Sequence, residues 1–268
     1  MRKMSKTCMV SIDVEEDLRN DGKKTFKGVE NLENILRIFR KHDIEATLFV
    51  TGEVLENYPD LVGRWSKKHE IASHGYYHIP LCRLSVSERK RQLEDFCRVY
   101  NDILGRKPKG FRAVQHIIDN TQLKLLEEFG FEYDSSVIPR YVPIKKYVGY
   151  VGKAPTEPYH PDYHRLQEKG NMKILEIPVT PLVFGIPLYG TWIRMFGPRF
   201  YKFLLIMKKP KFINLAMHPW DCISYNGRYS RNTEKFSGFL ECILDNLNRI
   251  NYKFVNGETI NEELKHGT

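Results

Sequence analysis

The sequence predicts an α/β fold in which parallel strands are joined by crossover helices, and three observations support this fold class. Short β-type runs alternate with amphipathic helical runs along the first half of the chain. The alternation returns after an irregular middle, so we expect roughly seven or eight strand–helix units in all. Polar residues stand at the ends of several predicted strands. Such units form an open sheet or a barrel, and their number favours a barrel-like layout with active groups at the carboxyl ends of the strands.

The first half of the chain is predicted to hold four strands, each followed by a helix. Apolar residues keep helical spacing in the first of these helices. Ser85 and Glu88 form a capping box at the start of a long helix, and Asp119 with Gln122 suggests a second box. The strands are expected over 8–13, 46–50, 70–74 and 110–114, and the helices over 29–42, 59–69, 85–104 and 119–129.

The second half is interrupted between about 138 and 200, where proline, tyrosine and glycine are frequent. We interpret this stretch as a long irregular loop with a functional role within a single domain of residues 1–268, because long ordered loops in compact domains are often functional. The regular pattern is expected in strands over 173–181 and 212–221, in helices over 198–209 and 232–248, and in a closing strand and short helix.

The charge balance is basic, with a net charge of +9 and a pI near 9.2. This balance favours anionic partners, such as acidic glycans, lipid phosphates or nucleic acid. No nucleic-acid motif accompanies it, so we expect no nucleic-acid partner. A merely soluble basic surface is the alternative, and the sequence leaves the oligomeric state open.

No apolar run approaches the roughly 18 residues needed to span a bilayer. The basic start of the chain has too short an apolar part for a signal peptide and ends in four acids. The five cysteines are scattered and form no C-x-x-C pair, which is typical of reduced, buried thiols. We therefore expect a cytoplasmic protein, with contact at the inner membrane surface as an alternative.

Five places put an ionisable side chain at the end of a predicted strand. Because parallel strands bring their carboxyl ends to one face, residues more than two hundred positions apart can meet there. The places are Asp13 with Glu15, His74 with His78, Arg112, Asp134, and His218.

His74 and His78 lie four residues apart in "SHGYYH". Two neutral imidazoles and one carboxylate make a common open zinc site, and Glu15 is the candidate carboxylate. A histidine-rich turn without metal is the alternative. The same spacing recurs at His160 and His164, but no strand precedes that pair, and we interpret it as loop surface.

Asp13 and Glu15 lie two apart and would share one face of an extended strand. One of them can then bind a metal while the other acts as a base; a solvated acidic turn is the alternative. Arg112 follows a strand and is a candidate partner that orients Asp13. His218 would need a carboxylate partner to act in catalysis, and Asp134 is the candidate.

The chain resembles the polysaccharide deacetylases of carbohydrate esterase family four over about residues 10–254. Five segments are similar to the motifs of that family in order: "SIDVE", "SHGYYH", "GFRA", "YDSS" and "AMHPWD". The resemblance implies a distorted (β/α)7 barrel. It also implies a divalent metal, with zinc expected and cobalt, nickel or iron as alternatives.

Carried over residue by residue, the resemblance implies a role for each strand-end residue. Glu15, His74 and His78 would hold the metal. Asp13 would be the general base and Arg112 its orienting partner. His218 would be the general acid on the leaving amine, and Asp134 would be the carboxylate that tunes His218.

Two departures from the family pattern and one further likeness stand out. Glu15 occupies a position that is usually aspartate, and Val114 one that is commonly proline, where the following backbone helps to form the oxyanion site. Gln115 or His116 would have to supply hydrogen bonds there instead. A third segment, "GIPLYGTWIRMFG", is similar to one in deacetylases encoded with exopolysaccharide genes, which implies that Trp192 and Arg194 line the sugar site; core packing is the alternative.

The function expected is metal-dependent removal of N-acetyl groups from an amino sugar in a polysaccharide or glycolipid precursor. Two alternatives stay open. One is an amide hydrolase of the same fold acting on a non-polymeric or formamido substrate. The other is a catalytically inactive, carbohydrate-binding relative.

Overall fold

A computed structural model describes residues 6–18, 23–140, 152–223 and 231–265. Eight strands form one sheet in which every pairing is parallel. They are β1 (Thr7–Val14), β2 (Thr47–Val50), β3 (Glu70–Ser73), β4 (Gly110–Phe111), β5 (Tyr133–Asp134), β6 (Leu175–Glu176), β7 (Phe212–Met217) and β8 (Lys253–Val255).

The strand order is β6-β5-β4-β3-β2-β1-β7, and β8 pairs with the first residues of β1. The outer strands of this order, β6 and β7, do not pair with each other in a regular ladder. Hydrogen bonds between β7 and the segment that connects the two strands close the gap instead. Thr180 N–H donates to the Asn214 carbonyl at 3.4 Å, and Ala216 N–H donates to the Leu188 carbonyl at 3.2 Å. The sheet is thus a curled barrel of parallel strands closed by irregular backbone, which confirms the predicted fold class.

The helices of the described residues cover the outside of this sheet. They are α1 (Lys27–Glu30), α2 (Glu33–Lys41), α3 (Gly52–Asn57), α4 (Pro59–Trp65), α5 (Val86–Leu104), α6 (Asn120–Glu128), α7 (Gly190–Phe196), α8 (Pro198–Lys208), α9 (Thr233–Arg249) and α10 (Gly257–Lys265). Buried apolar residues of β1, β2 and β7 form the largest core cluster with the inner faces of α2, α8 and α9. Within the described ranges no helix has the length and apolar character that crossing a membrane requires.

Most predicted elements are present, and the differences have local causes. The capping box of Ser85 and Glu88 is complete, whereas Asp119 caps α6 through the Gln122 N–H alone. The helix expected over 29–42 is split into α1 and α2, and α3 was not predicted. The strand expected over 173–181 shrinks to β6, because two of its residues are prolines and offer no N–H to a ladder.

The irregular segment expected at about 138–200 is partly described, since residues 141–151 lie outside the described ranges. Its remaining part holds isolated bridges at Tyr159, Pro161 and Pro181, as expected of a loop. It also contains α7, a helix that the prediction missed.

Candidate active site

The candidate site lies at the carboxyl ends of the parallel strands. Asp13 is the last residue but one of β1, and Glu15 follows that strand directly. His74 follows β3, Arg112 follows β4, and His218 follows β7. The structure brings all five of these predicted residues together, as the parallel arrangement requires.

Glu15, His74 and His78 form the one group among the described residues whose side chains are placed to hold a metal ion. The Nε2 atom of His74 lies 2.8 Å from Glu15 Oε2, and Nε2 of His78 lies 2.6 Å from the same oxygen. Neither contact has the geometry of a hydrogen bond, so this buried oxygen has no hydrogen-bond partner. Two nitrogens and an oxygen that converge in this way fit a divalent metal with an open coordination position.

The far nitrogens of both imidazoles are held by protein groups. Nδ1 of His74 lies 2.8 Å from the Arg112 carbonyl, to which it can donate. Nδ1 of His78 lies 3.5 Å from a Glu16 carboxylate oxygen. Ligand histidines usually have such a partner, because it fixes the ring and directs the other nitrogen toward the metal. The acids after Glu15 are therefore not a solvated turn.

Asp13 is buried and held on both oxygens. Nη1 of Arg112 donates to Oδ1 at 2.7 Å, and the Tyr189 hydroxyl donates to Oδ2 at 2.7 Å. Arg112 is itself fixed by donating to the Ser135 carbonyl and hydroxyl, both at 2.9 Å, and its guanidinium lies over the Phe49 ring. The expected contact between Arg112 and Asp13 is thus present.

The neighbouring charges set the pKa values of Asp13 and Glu15. Burial alone would raise the pKa of Asp13, but the Arg112 guanidinium and the nearby imidazoles hold it well below its usual range. Burial is likewise outweighed at Glu15, where the two histidines lower the pKa to about 2. Both carboxylates are consequently ionised at neutral pH, as a base and a metal ligand must be.

His218 faces Asp13 and Glu15 from the other side of the site. Its Nε2 lies 3.9 Å from Asp13 Oδ2, 3.7 Å from Glu15 Oε1 and 3.2 Å from the Tyr189 hydroxyl. Its ring stacks on Trp220 with centroids 3.9 Å apart. Burial lowers the pKa of His218, while the neighbouring carboxylates raise it in part.

The carboxylate partner expected for His218 must be corrected. Asp134 instead accepts from the Ser136 hydroxyl at 2.7 Å and faces Glu176, its register partner on the adjacent strand. The carboxylate beside His218 is Asp221, whose Oδ2 lies 3.9 Å from Nδ1 and accepts from the His218 backbone N–H at 2.9 Å. Asp221, three positions after His218 on the same turn, lies beside the imidazole, whereas Asp134 on β5 is occupied by Ser136 and Glu176.

Arg194 also has a different place from the one expected. It is buried, and its Nε donates to Asp221 Oδ1 at 2.7 Å, so it supports the partner of His218 rather than lining a sugar site. The start of α7 is packed so tightly here that a Cβ on Gly190 would come within 2.0 Å of the Asp221 carboxylate. Trp192 is half-buried, packs beside Tyr189 and stacks on Phe196, and its role in lining a sugar site stays a prediction.

Sequence reasoning missed two residues of this site. Tyr189 comes from the irregular segment, 176 positions from the Asp13 that it contacts; it stands in the quoted segment "GIPLYGTWIRMFG", in which only Trp192 and Arg194 were singled out. Asp221 stands in the quoted motif "AMHPWD", where its spacing from His218 was the signal to follow. The buried ring of His116 packs against Tyr189, and its Nε2 has no hydrogen-bond partner.

The histidine pair interpreted as loop surface is in a loop. His160 and His164 are both exposed, and Nδ1 of His160 lies 3.2 Å from the Ile174 carbonyl. Neither belongs to a metal-binding group within the described residues.

Comparison with known proteins finds relatives over part of the chain. Residues 20–133 match the family model described as polysaccharide deacetylase. A peptidoglycan-N-acetylglucosamine deacetylase from Bacillus cereus is 32% identical over 98 residues, which are 36% of each chain. The curated relatives are matched over less than half of their own length.

Solved structures share the fold over almost the whole chain. A putative polysaccharide deacetylase from Mycobacterium smegmatis is 20% identical, with a TM-score of 0.68 over 98% of this chain and 92% of the other. A pseudoenzyme of carbohydrate esterase family four from Bacillus anthracis is 17% identical, with a TM-score of 0.60 over 96% of this chain and 66% of the other. At these identities the likeness concerns the fold alone.

Over residues 20–133 and in its fold, the chain is similar to the polysaccharide deacetylases. It is a relative of these proteins, which confirms the expected resemblance to that family.

Proposed function

We propose that this protein is a metal-dependent N-deacetylase that hydrolyses the acetamide of an amino sugar in a polysaccharide or a glycolipid precursor. One observation carries the proposal. The buried Glu15 Oε2 has two imidazole nitrogens within 2.8 Å and no hydrogen bond, and Nε2 of His218 lies within 3.9 Å of carboxylate oxygens of both Glu15 and Asp13. The names of the matched relatives support an acetylated amino sugar as the substrate class.

The donor set fits a divalent metal held by Glu15, His74 and His78, with zinc or cobalt the best match to two imidazoles and one carboxylate. When bound, the metal would polarise the amide carbonyl and make the attacking water more acidic. In its absence the Glu15 carboxylate raises the pKa of His78 to about 9, despite burial. Metal binding therefore has to displace a proton from this site, and its affinity should fall as pH falls.

Asp13 acts as the general base. Its Oδ1 is bound to Arg112, so Oδ2 is the oxygen that accepts the proton of the attacking water once the Tyr189 hydroxyl, which donates to Oδ2 in the structure, turns from it to the substrate. The rigid Arg112 contact prevents Asp13 from turning away as its charge changes. Positioned bases of this kind usually contribute about 10²–10⁴-fold to the rate.

His218 acts as the general acid on the leaving amine. Its Nε2 faces the site. On the other side of the residue, Asp221 accepts a hydrogen bond from the His218 backbone N–H and lies near Nδ1 of the ring. Burial makes the imidazolium a stronger acid than usual, which suits proton delivery to a departing nitrogen.

Tyr189 is the candidate donor to the developing oxyanion. Its hydroxyl lies between the base and the acid, 2.7 Å from Asp13 Oδ2 and 3.2 Å from His218 Nε2. Burial raises the pKa of this phenol well above its ordinary value, so it keeps its proton to donate. The Tyr189 hydroxyl would replace the oxyanion hydrogen bond that the backbone after position 114 supplies in the family, which the presence of Val114 puts in question.

The test combines metal content with acetate release. Chelation should abolish hydrolysis of an N-acetylhexosamine panel, offered free, nucleotide-linked and lipid-linked, and zinc or cobalt should restore it. Full activity in metal-stripped protein would overturn the metal requirement. Bound metal without turnover on any member of the panel would favour the inactive, carbohydrate-binding alternative, and release of formate instead of acetate would favour the formamido alternative.

A further inference from the structure

The outer surface of α7 and α8 exposes an unusual number of large apolar side chains. On α8, Phe203, Ile206 and Met207 are 58%, 54% and 61% exposed. Met195 and Phe196 at the end of α7 are exposed beside them, and α7 contacts α8. We call these five residues the α7–α8 face. Apolar clusters of this kind on a soluble domain usually mark an interaction surface.

The spacing along α8 shows that this exposure belongs to one complete side of the helix. Tyr201, Leu204 and Leu205 point into the core, while Phe203, Ile206 and Met207 repeat on the opposite side. The helix is therefore apolar on both sides, and only one side is covered by its own chain. A second apolar group, the 85% exposed Phe184, stands on a turn that contacts α8.

The charges around the face have a single sign. Residues 177–220 contain no Asp or Glu, although the whole chain has 33 of them. Exposed cations border the face at both ends of α8, and among the described residues none of them forms an ion pair: Arg199, Lys202, Lys208, Lys209 and Lys211. Exposed apolar side chains framed by lysine and arginine are the signature of a helix that lies in a membrane interface.

The α7–α8 face is continuous with the candidate active site. Helix α7 begins directly after Tyr189, whose hydroxyl touches Asp13. From there Trp192, Phe196 and Phe200 form a row of rings with centroids 5.8 and 4.8 Å apart, ending at the face. Seven helical residues span only about 10 Å, so a molecule anchored at the face has its polar part close to the site.

We propose that the α7–α8 face docks on the surface of an anionic membrane and that the substrate is an amino sugar carried on a lipid anchor. This inference rests on the proposed function for its substrate and narrows it to a membrane-resident class. A second copy of the chain is a poorer occupant, because a two-fold contact through this face would bring the five cations of each copy together. Anionic lipid headgroups neutralise them, while Phe203, Ile206 and Met207 enter the boundary of the acyl chains.

The test is flotation of the whole protein with vesicles of phosphatidylcholine alone or with about 30 mol% phosphatidylglycerol. The wild type should float with the anionic vesicles, and less so at high salt. Replacing Phe203→Ser and Met207→Ser together should weaken binding by about tenfold or more, since apolar area no longer leaves water. Replacing Lys202, Lys208 and Lys211 by Gln should weaken it by about a hundredfold, since each cation contributes about fivefold.

Matched controls separate the face from general effects. Val86→Ser removes an apolar side chain that is 49% exposed on α5, and Gln at Lys67, Lys107 and Lys169 removes the same number of exposed charges elsewhere. Both controls should float like the wild type. Acetate release from a soluble acetylated sugar should be unchanged in all variants, whereas release from a lipid-linked sugar in vesicles should fall with flotation.

Three results would overturn the docking proposal: no flotation of the wild type with anionic vesicles, equal flotation of face and control variants, or a dimer that the Phe203 and Met207 changes abolish. Flotation needs no catalysis and is repeated with chelator-treated protein. A failure of docking is thus distinguishable from a failure of the proposed deacetylation, which would show as intact flotation without acetate release on any sugar.

Discussion

Two pairs of buried carboxyl groups lie inside the same barrel, and their surroundings make them chemically opposite. Asp13 and Glu15 stand at the end of β1 among Arg112 and the imidazoles, and their pKa values are lowered. Asp134 and Glu176 face each other across β5 and β6. Burial and mutual repulsion raise the pKa of Glu176 well above its ordinary value, and burial raises that of Asp134.

The comparison teaches that burial alone does not make a catalytic carboxylate. Depth is similar in both pairs, and Arg112 lowers the pKa of Asp134 and Glu176 as it does that of Asp13. The difference therefore comes from the imidazoles that face the first pair and from the repulsion that Asp134 exerts on Glu176 in the second. The first pair is ionised and available to a metal and a proton. The second pair keeps a proton between its members and is connected to Ser136 and to the Val137 backbone, which is the behaviour of a structural pair.

The largest effects should come from the first pair. Asp13→Asn should keep metal and substrate binding, because Asn preserves the shape and can still meet Arg112, but lose about 10²–10⁴-fold in rate. Glu15→Ala should lose metal affinity and, with it, activity that excess metal restores in part. His218→Ala should resemble Asp13→Asn in keeping its metal. Metal content and acetate release of the three purified variants provide the measurement.

The matched control for this set is His160→Ala, which removes an exposed imidazole far from the metal ligands and should keep both metal and activity. If Asp13→Asn loses metal while Glu15→Ala keeps it, the roles within the pair are reversed.

Tyr189→Phe should have the next largest effect. Loss of one donor to an oxyanion typically costs about 10²–10³-fold in kcat. Metal content should stay at the wild-type level and KM should change little, because the ring still packs against His116 and His218. A faster Tyr189→Phe enzyme would mean that the phenol blocks the site instead of serving it. An equal rate would remove Tyr189 from the mechanism.

The sequence predicted the parallel barrel and the meeting of Asp13, Glu15, His74, His78, Arg112 and His218, because strand ends are visible in the local pattern and parallel strands share one edge. It did not predict Tyr189, whose place depends on how an irregular segment closes the barrel beside β7. It assigned Asp134 to His218 because both follow strands, although strand position alone does not say which side chains touch. Arg194 was misplaced for a different reason: its role rested on the likeness of its segment to one in other deacetylases, and only packing shows that it lies behind Asp221.

A smaller effect should distinguish the two candidate partners of His218. Asp221→Asn keeps the volume beside Gly190 but removes the charge that faces Nδ1 and weakens the contact with Arg194. We expect a fall in kcat of about tenfold, less than the about 10²–10⁴-fold that a positioned acid itself contributes, with metal content unchanged. Asp134→Asn should leave kcat near the wild-type value in the protein that folds. An activity loss confined to Asp134→Asn would restore the pairing first expected.

The smallest effect should be on stability alone and should depend on pH. Because the pKa of Glu176 is raised in the folded protein, the native state keeps a proton that the unfolded chain releases above about pH 4.5. The unfolded state then binds fewer protons, so the stability contributed by this group falls as pH rises toward the folded pKa, by no more than about 1.4 kcal/mol per pH unit.

Glu176→Gln removes this titration and can still accept from the Val137 N–H. Denaturant unfolding should therefore find the variant more stable than the wild type at pH 8, by about 1 kcal/mol as for a typical point mutation, and the difference should shrink toward pH 5. Glu241→Gln, on the exposed side of α9, is the control and should show no such trend. A variant that is equally destabilised at both pH values would mean that Glu176 is ionised in the folded protein, and the contrast between the two carboxyl pairs would not hold.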